Sequence, residues 1–315
     1  MTASTPGRRG RVLVLGLPYF GRRLAADLSG LGWQARYLPH PGRSLPGWAR
    51  IAAAVARADI VYLIGSRLDR GSPQDRLLRV RRRPVVIHWV GTDVQIALEE
   101  HRRRNASARI AERAVHWTDA PWLADELRLA GIRADFVPLP IPVPTADPPP
   151  LPERFTVLLY YPVDAFDREV FDIDTMLRLP AAFPGVRFIM IPSPPQTLPA
   201  PLPPNLEARG WVDDMDALYR EVTVLVRLTT HDGQSFMAAE ALARGRYLIW
   251  THPMPGGIQA GGFEAVSAAL RRLLERHQAG ALPLNLDGRR HVLERFGGGA
   301  PLREIDERLQ VLLPR

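Results

Sequence analysis

The chain has no cysteine and no lysine. Without thiols there are no disulfides, no thiolate metal ligands and no cysteine nucleophile. Without lysine there is no side-chain amine for Schiff-base chemistry, because arginine stays protonated. Long apolar runs are missing too: no stretch approaches the roughly 18 residues that a membrane-spanning helix requires. The segment Met1–Gly10 is polar and basic and carries no apolar signal core, so the expected location is the cytoplasm.

What is present is ordinary in amount. The 315 residues suffice for two domains with separate cores, and 46% hydrophobic and 23% charged residues fit a globular protein. All 41 basic residues are arginines, giving a net charge of +8. Such a bias fits GC-rich codon usage. Guanidinium forks also suit phosphates and anionic surfaces. An anionic donor and peripheral attachment to the inner face of an anionic membrane are therefore expectations. The triplets Arg81–Arg83 and Arg102–Arg104 come without a recognised nucleic-acid module or interleaved aromatics, so they read as solvated faces, with no nucleic-acid partner.

Short apolar runs alternate with helical periodicity. Strands are predicted at 11–15, 34–38, 60–64, 85–89, 115–118 and 134–137, and helices at 22–31, 48–58, 74–82, 99–114 and 121–130. The proline-dense segment Pro138–Pro152 resists both helix and ladder and reads as an extended linker. Alternation then resumes, with strands at 156–161, 187–191, 208–210, 222–228 and 246–251 and helices at 173–179, 215–220, 263–277 and 302–313. This order implies parallel sheets covered on both faces, with ligands near the carboxyl ends of the strands.

The richest stretch is His231–Gly245, which follows a strand and ends in a helix-stopping glycine. It sets two carboxylates, Asp232 and Glu240, eight positions apart, one in a loop and one within an Ala-rich helix. Unpaired N–H groups and the helix dipole at such a loop suit a phosphate. A carboxylate further into the helix suits sugar hydroxyls instead. The segment reads as a sugar-nucleotide site.

The phrase from Asp232 to Gly245, with Gly210-Trp211-Val212 and Leu218-Tyr219 before it, resembles the acidic-x7-Glu region of retaining GT-B glycosyltransferases of family 4, with Asp in place of the first Glu. His88-Trp89-Val90-Gly91-Thr92-Asp93 and Ala120–Pro140 resemble segments of the same family. The resemblance covers roughly Arg11–Leu274. It implies an α/β fold of two Rossmann-like, doubly wound parallel-sheet domains facing across a cleft. Residues 1–145 would form the acceptor side and 146–298 the nucleotide-sugar side, and 299–315 a C-terminal helix that could cross back to the first domain. It implies transfer of a sugar from a nucleoside diphosphate sugar to a sugar, lipid-linked or small-molecule acceptor, with retention, no metal and no further cofactor.

Under that resemblance Glu240 holds ribose hydroxyls, Asp232 faces the transferred sugar, and Gly233, Gln234 and Ser235 approach the donor. The family's Arg and Lys pair for the diphosphate has no counterpart here, which leaves Arg168 and Arg227 as the candidate cations. His88 joins Asp232 and Arg227 as a catalytic candidate, and Gly16, Gly21, Gly91 and Asp93 are acceptor or cleft candidates. The missing pair keeps two alternatives open: a sugar-nucleotide epimerase of the same fold, and a sugar-nucleotide-binding protein without catalysis.

Overall fold

A computed structural model describes residues 9–163, 168–199 and 201–313. The chain divides into two compact units, one running to Pro140 and resuming at Gly299, the other spanning Ile141–Gly298.

The first unit contains β1 (Arg11–Gly16), β2 (Gln34–Tyr37), β3 (Ile60–Ile64), β4 (Val85–Trp89), β5 (Val115–Thr118) and β6 (Asp135–Phe136), in the spatial order β2-β1-β3-β4-β5-β6. All pairings are parallel. β3 and β4 are buried along their whole length, as expected of central strands covered on both faces. The helix Ala300–Leu312 packs within this unit. Its Asp306 accepts hydrogen bonds from Arg9 Nη1 and Trp33 Nε1, both at 2.6 Å, and Arg308 pairs with Asp135 at 2.9 Å.

The second unit repeats the plan with β7 (Thr156–Tyr161), β8 (Arg187–Pro192), β9 (Leu206–Ala208), β10 (Val224–Arg227), β11 (Tyr247–Trp250) and β12 (Ile258–Gln259), ordered β12-β11-β10-β7-β8-β9. These pairings are parallel as well. In each unit the strand order reverses direction beside the first strand, which opens a crevice at the carboxyl ends of the strands, the place where doubly wound sheets bind ligands.

The predicted helix over 99–114 is two helices, Thr92–Arg102 and Ala108–Arg113. Arg104 takes φ 55°, a left-handed conformation that ends the first, and Ser107 starts the second by accepting a hydrogen bond from Ile110 N. The helix Leu286–Phe296 was not among the predicted elements. Asn285 caps it through Gly288 N, but Gly288 and five charged side chains blur its apolar period.

The proline-rich segment does not run free. Prolines lack N–H donors, but every residue keeps a carbonyl that must find a partner when buried. Arginines supply the partners. Arg246 is completely buried and donates to the carbonyls of Tyr219 (2.8 Å), Pro149 (3.0 Å) and Pro150 (3.1 Å). Arg289 donates to Thr145 (3.0 Å), Ala146 (2.8 Å) and Ala243. Burial lowers the pKa of Arg246 to about 10, with nearby Arg244 adding to the effect, so the residue is still a cation at neutral pH.

Candidate functional site

In the second unit the richest cluster gathers at the carboxyl end of β10, beside β7, where the strand order reverses. Arg227 closes β10, and its Nε donates to Asp232 Oδ2 at 2.6 Å. The two side chains are only 12% and 16% exposed, so they form a largely desolvated pair. The guanidinium also lies over the rings of Tyr160 (5.4 Å) and Phe171 (5.2 Å), which brace it from β7 and the segment after it.

Behind the pair is a threonine network. Thr229 Oγ1 lies 3.5 Å from Asp232 Oδ2 and accepts from Trp250 Nε1 at 3.2 Å. Thr251 Oγ1 donates to Thr229 O (2.6 Å) and accepts from Thr229 N (3.1 Å). The loop after β10 is thus fixed to the end of β11. Sequence spacing could not reveal this network, because threonines and a tryptophan at strand ends look like ordinary strand formers.

The helix Phe236–Ala243 begins at Ser235, whose hydroxyl accepts from Ala238 N at 3.2 Å and is thereby used as an N-cap. Gly245 ends it with φ 68°, its N–H reaching Leu242 O and that of Arg246 reaching Ala241 O, the glycine stop legible in the sequence. Ala238, Ala239, Ala241, Leu242 and Ala243 are buried, whereas Phe236, Met237 and Glu240 form the one half-buried face. Glu240 therefore lies on the half-buried stripe of the helix. Its carboxylate is near Tyr219, whose phenol is held well above its ordinary pKa by burial first and by Glu240 second. Arg244, one turn on, covers the Tyr219 ring at 4.8 Å and donates to the Glu240 carbonyl (3.0 Å) and to Asp216 (2.9 Å). Gly233 is buried and Gln234 half-buried in the loop between the two acids.

Arg168 is placed differently from Arg227. Its Nε and Nη2 donate to the carbonyls of Pro162 (3.0 Å) and Val163 (2.9 Å), and its guanidinium lies 5.0 Å from the Tyr161 ring. It is tied to the two residues that directly follow β7. Among the described residues no group of three His, Cys, Asp or Glu side chains is close enough to hold a metal ion, and no helix is long and apolar enough to cross a membrane.

The remaining candidates belong to the first unit. Gly16 ends β1 with φ 103°, and a Cβ there would sit 1.9 Å from Ile64 O, so only glycine lets β1 pass this close to β3. Gly21 lies on the first helix, where a Cβ would meet the Tyr37 ring at 2.6 Å; its role is close packing. Gly91, with φ 128°, turns the chain from β4 into the next helix. Asp93, in the first turn of that helix, accepts from the backbone N–H groups of Val90 (3.0 Å), Val94 (3.1 Å) and Ser66 (3.2 Å), tying the ends of β3 and β4 together. Desolvation outweighs these bonds and raises its pKa to about 7.

His88 is completely buried within β4. Its Nδ1 is 2.6 Å from the Tyr62 hydroxyl, and its ring meets Trp117 edge-on. Burial depresses its pKa to about 3, so the ring is a neutral member of the core and not a group standing at the surface. His116, stacked on Trp89, is depressed to about 4 for the same reason.

These shifts give a pH signature. Below about pH 6.5 the unfolded chain protonates both histidines while the folded unit keeps them neutral, so folding loses stability as pH falls. Asp93 opposes this, holding a proton in the folded unit up to about pH 7 that the unfolded chain releases near pH 4. Two histidines against one carboxyl leave about one proton in favour of the unfolded state, roughly 1.4 kcal/mol per pH unit between about pH 6 and 4. Urea midpoints of the first unit should fall steadily over that range, and a flat or rising midpoint would contradict the buried neutral histidines.

No protein-family model and no curated protein matches the chain. Solved structures do. Sucrose-phosphate synthase from Thermosynechococcus elongatus aligns over 96% of this chain and 99% of its own, with a TM-score of 0.74 at 16% identity. Anabaena HepE in complex with UDP-glucose aligns over 96% and 100%, with a TM-score of 0.69 at 13% identity. A glycosyltransferase from Rickettsia africae aligns over 98% and 99%, with a TM-score of 0.67 at 11% identity. What these proteins share with this chain is the fold: two six-stranded parallel sheets in two Rossmann-like units, the GT-B architecture found in glycosyltransferases.

Proposed function

We propose that the protein is a glycosyltransferase that takes its sugar from a nucleoside diphosphate sugar bound at the carboxyl end of β10. The observation that carries this reading is the placement of two carboxylates on one rigid strand–loop–helix segment. Asp232 lies just after the strand end against Arg227, and Glu240 lies on the half-buried face of the following helix. Glu240 accepts the ribose hydroxyls and Asp232 faces the transferred sugar. Gly233 and Gln234 line the path between them, and Ser235 fixes the helix start beside the diphosphate. The likeness in fold to a protein solved with UDP-glucose supports a sugar-nucleotide donor. The Asp-x7-Glu spacing supports the retaining family 4 class.

Donor binding should depend strongly on Glu240. A carboxylate accepting ribose hydroxyls makes charge-assisted bonds worth about 1.5–3 kcal/mol each, so Glu240→Ala should weaken the preferred nucleotide roughly ten- to hundredfold per bond lost. A thermal-shift panel of UDP-, GDP-, ADP- and dTDP-sugars identifies that nucleotide; a ligand at 100 times its Kd should stabilise by about 2.7 kcal/mol. Equal binding by wild type and Glu240→Ala would reduce Glu240 to a helix residue. The acceptor is then sought by release of free nucleoside diphosphate.

Counter-charge for the leaving diphosphate comes from arginine and the helix N-terminus in this reading, not from a divalent cation. Turnover should therefore survive EDTA. Full loss on chelation, restored by magnesium or manganese, would contradict it. Arg227 is the cation best placed, and Arg227→Ala should lower kcat/KM by roughly 10²–10³-fold.

One observation favours a second reading. Arg168 is occupied by loop carbonyls and Arg227 by Asp232, so neither guanidinium is idle. A sugar-nucleotide-binding protein without turnover would show the same donor-induced stabilisation and no diphosphate release with any acceptor.

A further inference from the structure

A cavity of the first unit has no part in this reading. It occupies about 1000 Å³ between β1, β3 and the helices Leu45–Arg57 and Pro73–Val80. That is the upper end of small-molecule sites, roughly 300–1,000 Å³, and far beyond the packing defects of a protein interior. Its walls are apolar, chiefly Leu15, Leu38, Leu63, Ile51, Val55 and Leu77.

The helix Leu45–Arg57 is what leaves the space open. Ser44 caps it well and it carries the apolar stripe of a core helix, yet none of its residues is fully buried. Ile51 and Val55 face the cavity half-covered, and apolar atoms lining a void lack partners on one side. An apolar occupant would supply those contacts.

The shape and charge of the cavity narrow the class of occupant. Its lining includes Gly16 and Gly65, which lie at the carboxyl ends of β1 and β3, and Arg81–Arg83, which precede β4. It therefore runs along the sheet for about the length of the five-residue β3, roughly 16 Å. Such a slot suits an extended chain better than a compact ring system. Among the described residues, five arginines and no acidic side chain line it. Arg67 pairs with Asp69, Arg83 with Asp59, and Arg81 donates to backbone carbonyls. Arg76 and Arg82 are exposed and have no ion-pair partner among the described residues. Gln74 Oε1, buried in the lining, has no hydrogen-bond partner among the described residues.

We propose that the first unit binds a single-chain anionic amphiphile, its hydrocarbon tail in this cavity and its carboxylate or phosphate headgroup against Arg76 and Arg82. The site lies wholly in the first unit and is independent of sugar-nucleotide binding in the second.

The full chain is titrated with 11-(dansylamino)undecanoic acid, kept monomeric, and the probe is displaced with dodecyl phosphate or dodecyltrimethylammonium. One saturable site is expected, with the phosphate competing at least about tenfold more strongly than the ammonium, because only the anion meets guanidinium. Ala52→Trp, which fills the cavity from the helix, should abolish binding. Arg82→Glu, an exposed substitution that leaves the fold intact, should weaken the anion by about tenfold or more. Absence of a saturable site would overturn the proposal, as would equal competition by the cation. Binding unchanged in Ala52→Trp would place the amphiphile on the arginine-rich surface and reject the cavity. If Ala52→Trp does not fold, unchanged affinity in Arg82→Glu rejects the assigned headgroup site by itself. Stabilisation by nucleotide sugars, read on the same samples, should be the same in all variants.

Discussion

Asp232→Asn should lower kcat by roughly 10²–10³-fold, the usual cost of losing one electrostatic contact to a transition state, while leaving the affinity for bare nucleoside diphosphate nearly unchanged. Asparagine keeps the size and one acceptor but removes the charge that favours an oxocarbenium-like sugar. The geometry adds a complication that the test must resolve. Asp232 is also the counter-ion of a largely buried Arg227, so the substitution leaves a cation without its partner. If neutralising Arg227 were the whole role of Asp232, Asp232→Asn would mainly lower stability, and its kcat measured well below its Tm would stay near the wild-type value. If Asp232 acts on the sugar, Asp232→Asn loses kcat even where it is fully folded. Adding Arg227→Gln, which removes the unpaired cation, gauges its cost in Tm alone, so Tm and kcat of the single variant together with Tm of the double separate these outcomes. Turnover unharmed in Asp232→Asn would remove the residue from the mechanism.

The largest effect on folding is expected at Arg246. Truncation to alanine leaves the carbonyls of Tyr219, Pro149 and Pro150 without their donor and opens a cavity under the proline segment. Together these should cost about 3–5 kcal/mol, enough to lower the Tm of the second unit by roughly 6–20 °C. Methionine is the informative contrast. It fills much of the volume and removes a buried charge whose desolvation already depresses its pKa, so Arg246→Met should lose clearly less than Arg246→Ala. Equal losses would mean that the hydrogen bonds carry the stability, and no loss in either variant would show that the segment is held by other means.

Much of this was legible in the chain. The alternation of short apolar runs with helical periods predicted the parallel sheets, since strands buried on both faces are continuous hydrophobic runs: β3, β4 and β7 were placed to the residue. The strand, loop and glycine-stopped helix around Asp232 and Glu240 were legible for the same local reasons. What escaped was non-local. Nothing in the phrase His88–Asp93 distinguishes a histidine buried against Tyr62 and Trp117 from one at a strand mouth, because its partners lie 26 and 29 positions away. The break at Arg104 escaped because arginine is a good helix former and only the local fold forces its left-handed turn. The network of Thr229, Trp250 and Thr251 joins two strand ends through side chains of unremarkable type.

The arginine clasp on the proline segment also bears on how such a protein can be cut and recombined. A break placed at the end of the proline-dense linker, after Pro152, would strip from the second unit two of the three carbonyls that each of Arg246 and Arg289 meets, leaving each buried cation with a single acceptor, Tyr219 O or Ala243 O. A break ahead of Ile141 keeps both arginines satisfied. The seam for exchanging the second unit with that of another chain therefore opens at the start of the proline stretch and closes ahead of Gly299, and the stretch travels with the second unit.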